Sequence, residues 1–270
     1  INTISTSKLT LDSSQLSTER ALTQSLPIKS VNSWSTTTTS ITNRVYSMCW
    51  APELNLFVAS TLGNVLTSPD GVNWTSRTAT SSLGWYSVCW SQELSLFVAA
   101  SNSSFIMTST DGINWTDRTS PAAGAFLKVI WVNDLSLFIA CSSSSYITSS
   151  NGINWTLRTY TTDTNYNFSG TYTISWHSLF KRLVIGSAHN TYGDYRMFLS
   201  ADGITWTSFI YPNSSRYNSI TYSSIINTSV MWGYYNNNFP ISPFMTLDHN
   251  LLSNTCLLYT SPSPRDRQKS

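Results

Sequence analysis

Charge is scarce in this chain. Asp, Glu, Lys and Arg make up only 10% of the 270 residues, and 15 basic against 13 acidic side chains leave a formal net charge of +2. Three of the basic residues, Arg265, Arg267 and Lys269, stand within six positions of the end. That balance excludes the basic stripe a nucleic-acid backbone requires. No apolar stretch is long enough to span a membrane. The four cysteines do not read as a disulfide scaffold: Cys49 and Cys89 hold the same place in adjacent repeats, too far apart to bond, and read as small buried hydrophobes. The histidines, His177, His189 and His249, have no spacing suited to zinc. No cofactor and no metal site are expected.

What is present is repetition. An octapeptide recurs as SPDGVNWT from Ser68 to Thr75, STDGINWT from Ser109 to Thr116, SSNGINWT from Ser149 to Thr156 and SADGITWT from Ser200 to Thr207. Its tryptophans, Trp74, Trp115, Trp155 and Trp206, lie 41, 40 and 51 residues apart, the period of one supersecondary unit repeated around a shared core. Each octapeptide sits in a longer module: YSMCWAPELNLFVAS, YSVCWSQELSLFVAA, LKVIWVNDLSLFIAC and YTISWHSLFKRLVIG align, and Asn218 to Tyr234 is a looser fifth copy.

Within a module the period is that of strands. Tyr46, Met48 and Trp50 alternate with smaller residues, a polar turn runs from Pro52 to Asn55, and the apolar run Leu56 to Ala59 follows. A Gly63-Asn64 turn, a short strand Val65 to Thr67 and a last strand Val72 to Thr78 complete the unit. Four short strands in about 40 residues predict an all-β fold, a β-propeller of four-stranded antiparallel blades with at least five visible. The expected blades span 44–78, 85–119, 126–159, 172–208 and 217–247, the last joined by 30–38, where Trp34 precedes Trp74 by one period. An N-terminal strand of that kind would close the ring without an edge.

The octapeptide predicts its own geometry. Proline or a small residue suits the first turn position, aspartate bonds nearby amides, glycine takes the left-handed conformation, and the tryptophan covers the gap between blades. The hairpin residues are therefore Asp70, Gly71 and Trp74; Asp111, Gly112 and Trp115; Asn151, Gly152 and Trp155; Asp202, Gly203 and Trp206. The Asn-x-Ser/Thr matches at Asn73, Asn114 and Asn154 belong to the hairpin and do not signal glycosylation. The motif resembles the Asp-box of sialidase-like propellers, although here Asp and Gly are adjacent and one copy carries Asn151. The resemblance implies a blade hairpin of structural role, away from any active site.

Residues 1–28 are rich in Ser and Thr and read as a leader, stalk or linker, through which the chain could form an oligomer. Residues 251–270, ending in CLLYTSPSPRDRQKS, look like a translated adapter sequence, and the absence of an initiator before Ile1 is expected of a fragment.

Catalysis finds little support. Glu19 precedes the blades, Glu53 and Glu93 share a turn position that Asp134 fills in the third module, and Arg77, Arg118 and Arg158 repeat in register behind each tryptophan. These read as structural. Asp70, Asp111 and Asp202 are isolated from one another and do not converge as calcium ligands would. What breaks the period is more informative. The interval of 51 contains two insertions, Tyr160 to Thr171 and Ser187 to Arg196. In an up-and-down sheet both emerge on the face opposite the hairpins, and loops on a rigid scaffold are where binding residues tend to lie. The candidate ligand-binding residues are Tyr160, Tyr166, Phe168, His189, Tyr192, Tyr195 and Arg196. Glycan stacking or a protein partner is the expected use, and the alternative is that these aromatics pack the two long loops against each other. The repeats resemble propeller arrays of large DNA viruses and tail proteins, which implies a non-catalytic attachment or structural module at a virion or extracellular surface. The alternatives are a sialidase-like glycoside hydrolase and a protein-binding assembly factor.

Overall fold

The computed structural model describes residues 43–142, 145–159, 171–187, 196–210, 215–223, 228–235, 244–248 and 259–260, all within the compact unit Thr39–Ser270. They form five four-stranded antiparallel sheets, each with its strands in sequence order. The first sheet is β1 (Val45–Ala51), β2 (Leu56–Thr61), β3 (Asn64–Ser68) and β4 (Thr75–Thr78). The second is β5 (Trp85–Ser91), β6 (Leu96–Ser101), β7 (Ile106–Ser109) and β8 (Thr116–Arg118), and the third β9 (Phe126–Val132), β10 (Leu137–Ser142), β11 (Tyr146–Ser149) and β12 (Thr156–Arg158). The fourth is β13 (Thr171–His177), β14 (Arg182–Ser187), β15 (Arg196–Ser200) and β16 (Thr207–Ile210). The fifth is β17 (Ser215–Ser223), β18 (Thr228–Tyr235), β19 (Phe244–Asp248) and β20 (Tyr259–Thr260). No described helix is long and apolar enough to cross a membrane.

Consecutive sheets meet through their first strands, β1 with β5, β5 with β9, β9 with β13 and β13 with β17. The second strands explain why the LFVA runs are apolar throughout. In β6, Leu96, Val98 and Ala100 face the third sheet, whereas Phe97 and Ala99 face the first. In β10, Phe138 and Ala140 face the second sheet while Ile139 and Cys141 face the fourth. A strand covered on both faces cannot alternate polar with apolar residues. The core is therefore a series of sheet-to-sheet interfaces.

Two features repeat at the strand ends. In the first four sheets the turn after the first strand contains a residue with left-handed backbone, Asn55, Ser95, Ser136 or Lys181, and in the first and third it follows a 3-10 turn, Pro52–Leu54 or Asn133–Leu135. Each first strand also carries a β-bulge near its start. Tyr46, Tyr86, Leu127, Tyr172 and Asn218 are the extra residues, between the paired positions on either side.

The expected last strand from Val72 is shorter than the sequence implied. Strand β4 begins at Thr75, because Val72, Asn73 and Trp74 are held in the hairpin. In the fifth sheet the strand beside β19 is β20, from within 251–270. Residues 30–38, expected in that place, lie outside the described residues, as do 1–28.

The hairpin glycines have two reasons to be glycine. Gly71, Gly112, Gly152 and Gly203 have φ between +71° and +73°, where a side chain is strained. Three of them also abut the preceding sheet: an added Cβ would lie 3.0 Å from Leu56 at Gly112, 2.6 Å from Leu96 at Gly152 and 3.2 Å from Leu137 at Gly203. At Gly71 the nearest atom, on Phe57, is 3.6 Å away. Gly152→Ala should therefore cost about 1–3 kcal/mol more than Gly71→Ala, because overpacking adds to backbone strain. Urea denaturation of the two variants checks this, and equal losses would contradict the close approach.

Candidate functional site

The hairpin face comes first, because it holds most of the described acidic residues. In the first hairpin the Ser68 hydroxyl accepts from the amides of Asp70 and Gly71 at 3.4 and 2.9 Å and donates to Asp70 Oδ1 at 2.9 Å. Asp70 Oδ1 accepts from the amides of Val72 and Asn73, both at 2.8 Å, and Oδ2 from the Asn73 carboxamide. The Trp74 indole donates to the Gly71 carbonyl at 3.1 Å. The cage recurs around Asp111 and Asp202, and Asn151 reproduces its Oδ1 half through its carbonyl oxygen, without the bond to the side chain three residues on. One accepting oxygen holds both amides, which is why Asn substitutes for Asp.

The fourth hairpin differs at its tryptophan. Trp206 donates to the Tyr146 hydroxyl of the third sheet at 3.0 Å, and that hydroxyl donates to the Ile204 carbonyl at 3.2 Å.

The acids of the first turns are engaged as well. Glu53 accepts from the Trp90 indole at 2.9 Å, Glu93 from Trp131 at 2.6 Å and Asp134 from Trp176 at 2.7 Å, each bond joining one sheet to the next. Lys181 pairs with Asp134 at 2.9 Å. The sequence reading placed these acids as structural without finding their partners. The available signal was that an acid in one module always precedes a tryptophan in the next. In the fourth module Leu179 takes the acid position, and Tyr222 takes the tryptophan position of the fifth.

The arginines behind the hairpins bridge the two outer strands. Arg77, Arg118 and Arg158 donate through Nε to Thr67, Thr108 and Thr148 at 3.0, 2.8 and 3.4 Å. Cys49 and Cys89 are free thiols; burial pushes Cys49 up to about 12, and burial, then the nearby Cys49, raises Cys89. His177 is buried at the end of β13. Among the described residues no three His, Cys, Asp or Glu side chains group as metal ligands.

The opposite face receives the links from second to third strands and from each sheet to the next. The ends of β12 and β13, and of β14 and β15, flank the two insertions there. Arg196 opens β15 opposite Ile210. Tyr160, Tyr166, Phe168, His189, Tyr192 and Tyr195 lie outside the described residues. The structure adds a group the sequence reading treated only as strand pattern. The bulged Tyr46 and Tyr86 pack with ring centroids 4.4 Å apart, and the Arg44 guanidinium sits 5.6 Å from the Tyr46 centroid. The bulge turns these tyrosines out of the alternating pattern and into contact across adjacent first strands.

No family model matches the chain, and no curated protein matches it. Solved structures do. A streptogramin B lyase matches with TM-score 0.62 at 11% identity, over 81% of this chain and 69% of that one. The WD40 β-propeller domain of Doa1 matches with TM-score 0.55 at 12% identity, over 80% and 69%. A chain of the nidogen/laminin complex matches with TM-score 0.57 at 9% identity, over 76% of each. With its five radially repeated sheets, the protein has the β-propeller fold. At these identities the likeness extends to the fold alone.

The hairpin carboxyls generate a pH dependence. At Asp111 partial burial works upward, but the amides of Asn114 and Ile113, the Asn114 carboxamide and the Ser109 hydroxyl outweigh it and bring the group to about 2. Asp202 reaches about 2 in the same way, against burial, through the amides of Thr205 and Ile204 and the hydroxyls of Ser200 and Thr205. Asp70 is lowered too, first by the amides of Asn73 and Val72. A group depressed on folding contributes stability that is whole above its unfolded value, about 3.9, and is lost as pH falls through the folded value. Urea midpoints should fall between pH 4 and 2, the range these values define. An Asp111→Asn, Asp202→Asn double variant should show a shallower fall; an unchanged slope would contradict the cage.

Proposed function

We propose that the protein is a non-catalytic binding module, of the kind used for attachment at a virion or cell surface, and that it engages a glycan or protein through the link face. The observation that carries this reading is the Arg44, Tyr46 and Tyr86 row, set by bulges on the face where the module lengths also vary. Two aromatic rings in tilted contact beside a guanidinium suit a sugar ring or a protein hot spot. Support also comes from the acids: Glu53, Glu93, Asp134, Asp70, Asp111 and Asp202 are all held by indoles or by their own hairpins. A glycoside hydrolase of the sialidase-like kind would need carboxylates converging on a substrate.

The Asp-box resemblance is consistent with this division between a uniform, fastening face and a variable face. One of the similar structures is part of a nidogen/laminin complex, so the fold serves protein association there. The fold also occurs in a lyase, and for that reason the reading rests on the site.

Glycan-array and cell-surface binding measurements test it. Tyr86→Ala, Tyr192→Ala and Arg196→Ala should each weaken binding, by about tenfold for an aromatic anchor. Turnover of a fluorogenic glycoside that a single acidic substitution abolishes would overturn it.

A further inference from the structure

Two grooves lie in register on the flank, each between the outer strand of one sheet and the hairpin of the next. The first, of about 460 Å³, is lined by Arg77 and Thr78 on one side and by Ile113, Asn114 and Trp115 on the other. The second, of about 380 Å³, is lined by Asp117, Arg118 and Thr119, and by Ile153, Asn154 and Trp155. Both fall within the range of small-ligand sites, roughly 300 to 1,000 Å³.

Their chemistry is matched apart from the residue before the arginine, Ser76 in the first and Asp117 in the second; Asp117 pairs with Met107 and Arg118 with Ile106, which face opposite sides of the sheet. Arg77 and Arg118 are each half-buried and anchored through Nε to a threonine, so the guanidinium plane is fixed. Among the described residues their terminal nitrogens have no hydrogen-bond or ion-pair partner. A fixed, half-buried guanidinium with both outer nitrogens open is a fork for a planar anion. Across the groove Ile113 and Ile153 are exposed at 43% and 47%, an apolar wall continued by the rim of the indole. Asn114 gives a carboxamide proton to Asp111 Oδ2 and keeps its own carbonyl oxygen open, while the Asn154 carboxamide is engaged with nothing among the described residues.

We propose that each groove is a subsite for a sugar ring bearing a carboxylate or a sulfate, so that one chain binds about two such rings. The inference rests on the reading of the protein as a binding module but uses other residues on another surface. The arginine fork takes the anionic group, the isoleucine and indole rim take the apolar side of the ring, and Asn and Thr meet its hydroxyls. An acidic peptide side chain would satisfy the arginine and leave the apolar wall and carboxamide unused. The third register position differs: Leu157 precedes Arg158, Thr205 replaces the Asn, and Tyr146 braces Ile204 and Trp206. The inference does not extend to it.

Calorimetric titration of the full chain tests it with four probes: methyl β-glucuronide, a sulfated heparin disaccharide, methyl β-glucoside and N-acetylaspartate amide. One or both anionic sugars should bind at about two per chain, at least about tenfold tighter than either other probe, and more weakly in high salt. Glucuronide binding assigns the carboxylate, and heparin-disaccharide binding without glucuronide binding assigns the sulfate. Arg118→Gln should reduce the stoichiometry to about one and the Arg77→Gln, Arg118→Gln pair should abolish binding. The arginines also join strands, so a second pair, Ile113→Asp with Ile153→Asp, places repelling charge on exposed positions and should give the same loss. Anionic sugars binding no tighter than the glucoside, or unaltered binding in the Ile→Asp pair, would overturn the inference. N-acetylaspartate amide binding as well as the sugars would assign the grooves to acidic peptides and overturn it too. Tyr86→Ala should leave this stoichiometry unchanged. Link-face binding without groove binding therefore removes this inference alone, and groove binding without link-face binding removes only the earlier one.

Discussion

The structure depends on a serine hydroxyl and a carboxamide or carboxylate oxygen holding one glycine in the left-handed region. Ser149 and Asn151 do this at Gly152, and the same pair of acceptors does it in the other three hairpins. Each acceptor meets amides that would otherwise be left unpaired at the tip of a tight turn, and unpaired amides are costly where water is excluded. Once Gly112, Gly152 or Gly203 is fixed, its bare Cα face lies against a leucine of the preceding sheet and the tryptophan is carried to the same seam. Trp155 joins Leu96, Val98 and Phe138 in one apolar cluster. The hairpin thus closes its own sheet and fastens it to its neighbour.

A second set of contacts, nearer the axis, works in the same direction. The bonds from Trp90, Trp131 and Trp176 to the acids of the preceding turns cross the same three seams that the clusters of buried residues fill. Each tryptophan also packs on the phenylalanine or equivalent residue opposite it: Trp90 with Phe97 at 4.3 Å and Trp131 with Phe138 at 4.5 Å between centroids. Because these exposed bonds are polar and close to water, each contributes modestly, and the apolar seams carry most of the cohesion. The bonds fix which way one sheet sits on the next.

Much of this was legible in the sequence because repetition averages out local ambiguity. Four copies of one octapeptide identify a hairpin that a single copy would leave uncertain, and the LFVA runs read as strands buried on both faces. The acid-to-tryptophan bonds were not read, since they join residues 37 to 42 apart and depend on how neighbouring sheets align. The bulges at Tyr46 and Tyr86 escaped for a similar reason: a bulge is a property of pairing, and the alternation of Tyr46, Met48 and Trp50 hides it. Strand β4 was read as too long because Val72 to Trp74 are apolar enough to suggest a strand, whereas the aspartate captures their amides. The candidate residues in the two insertions have no second copy to constrain them, so sequence could place them on a face but not in a geometry.

Both proposals concern surfaces where copies differ or where groups remain open: the link face with its tyrosine pair, and the flank grooves with their arginine forks. Both presuppose that the hairpins lock adjacent sheets into one rigid body. Native-state hydrogen exchange on the Ser149→Ala variant tests that premise most directly. The account predicts lost protection at the Gly152, Ile153 and Asn154 amides and also along β6 of the preceding sheet, Leu96–Ser101. Loss confined to the hairpin, with β6 as protected as before, would contradict it.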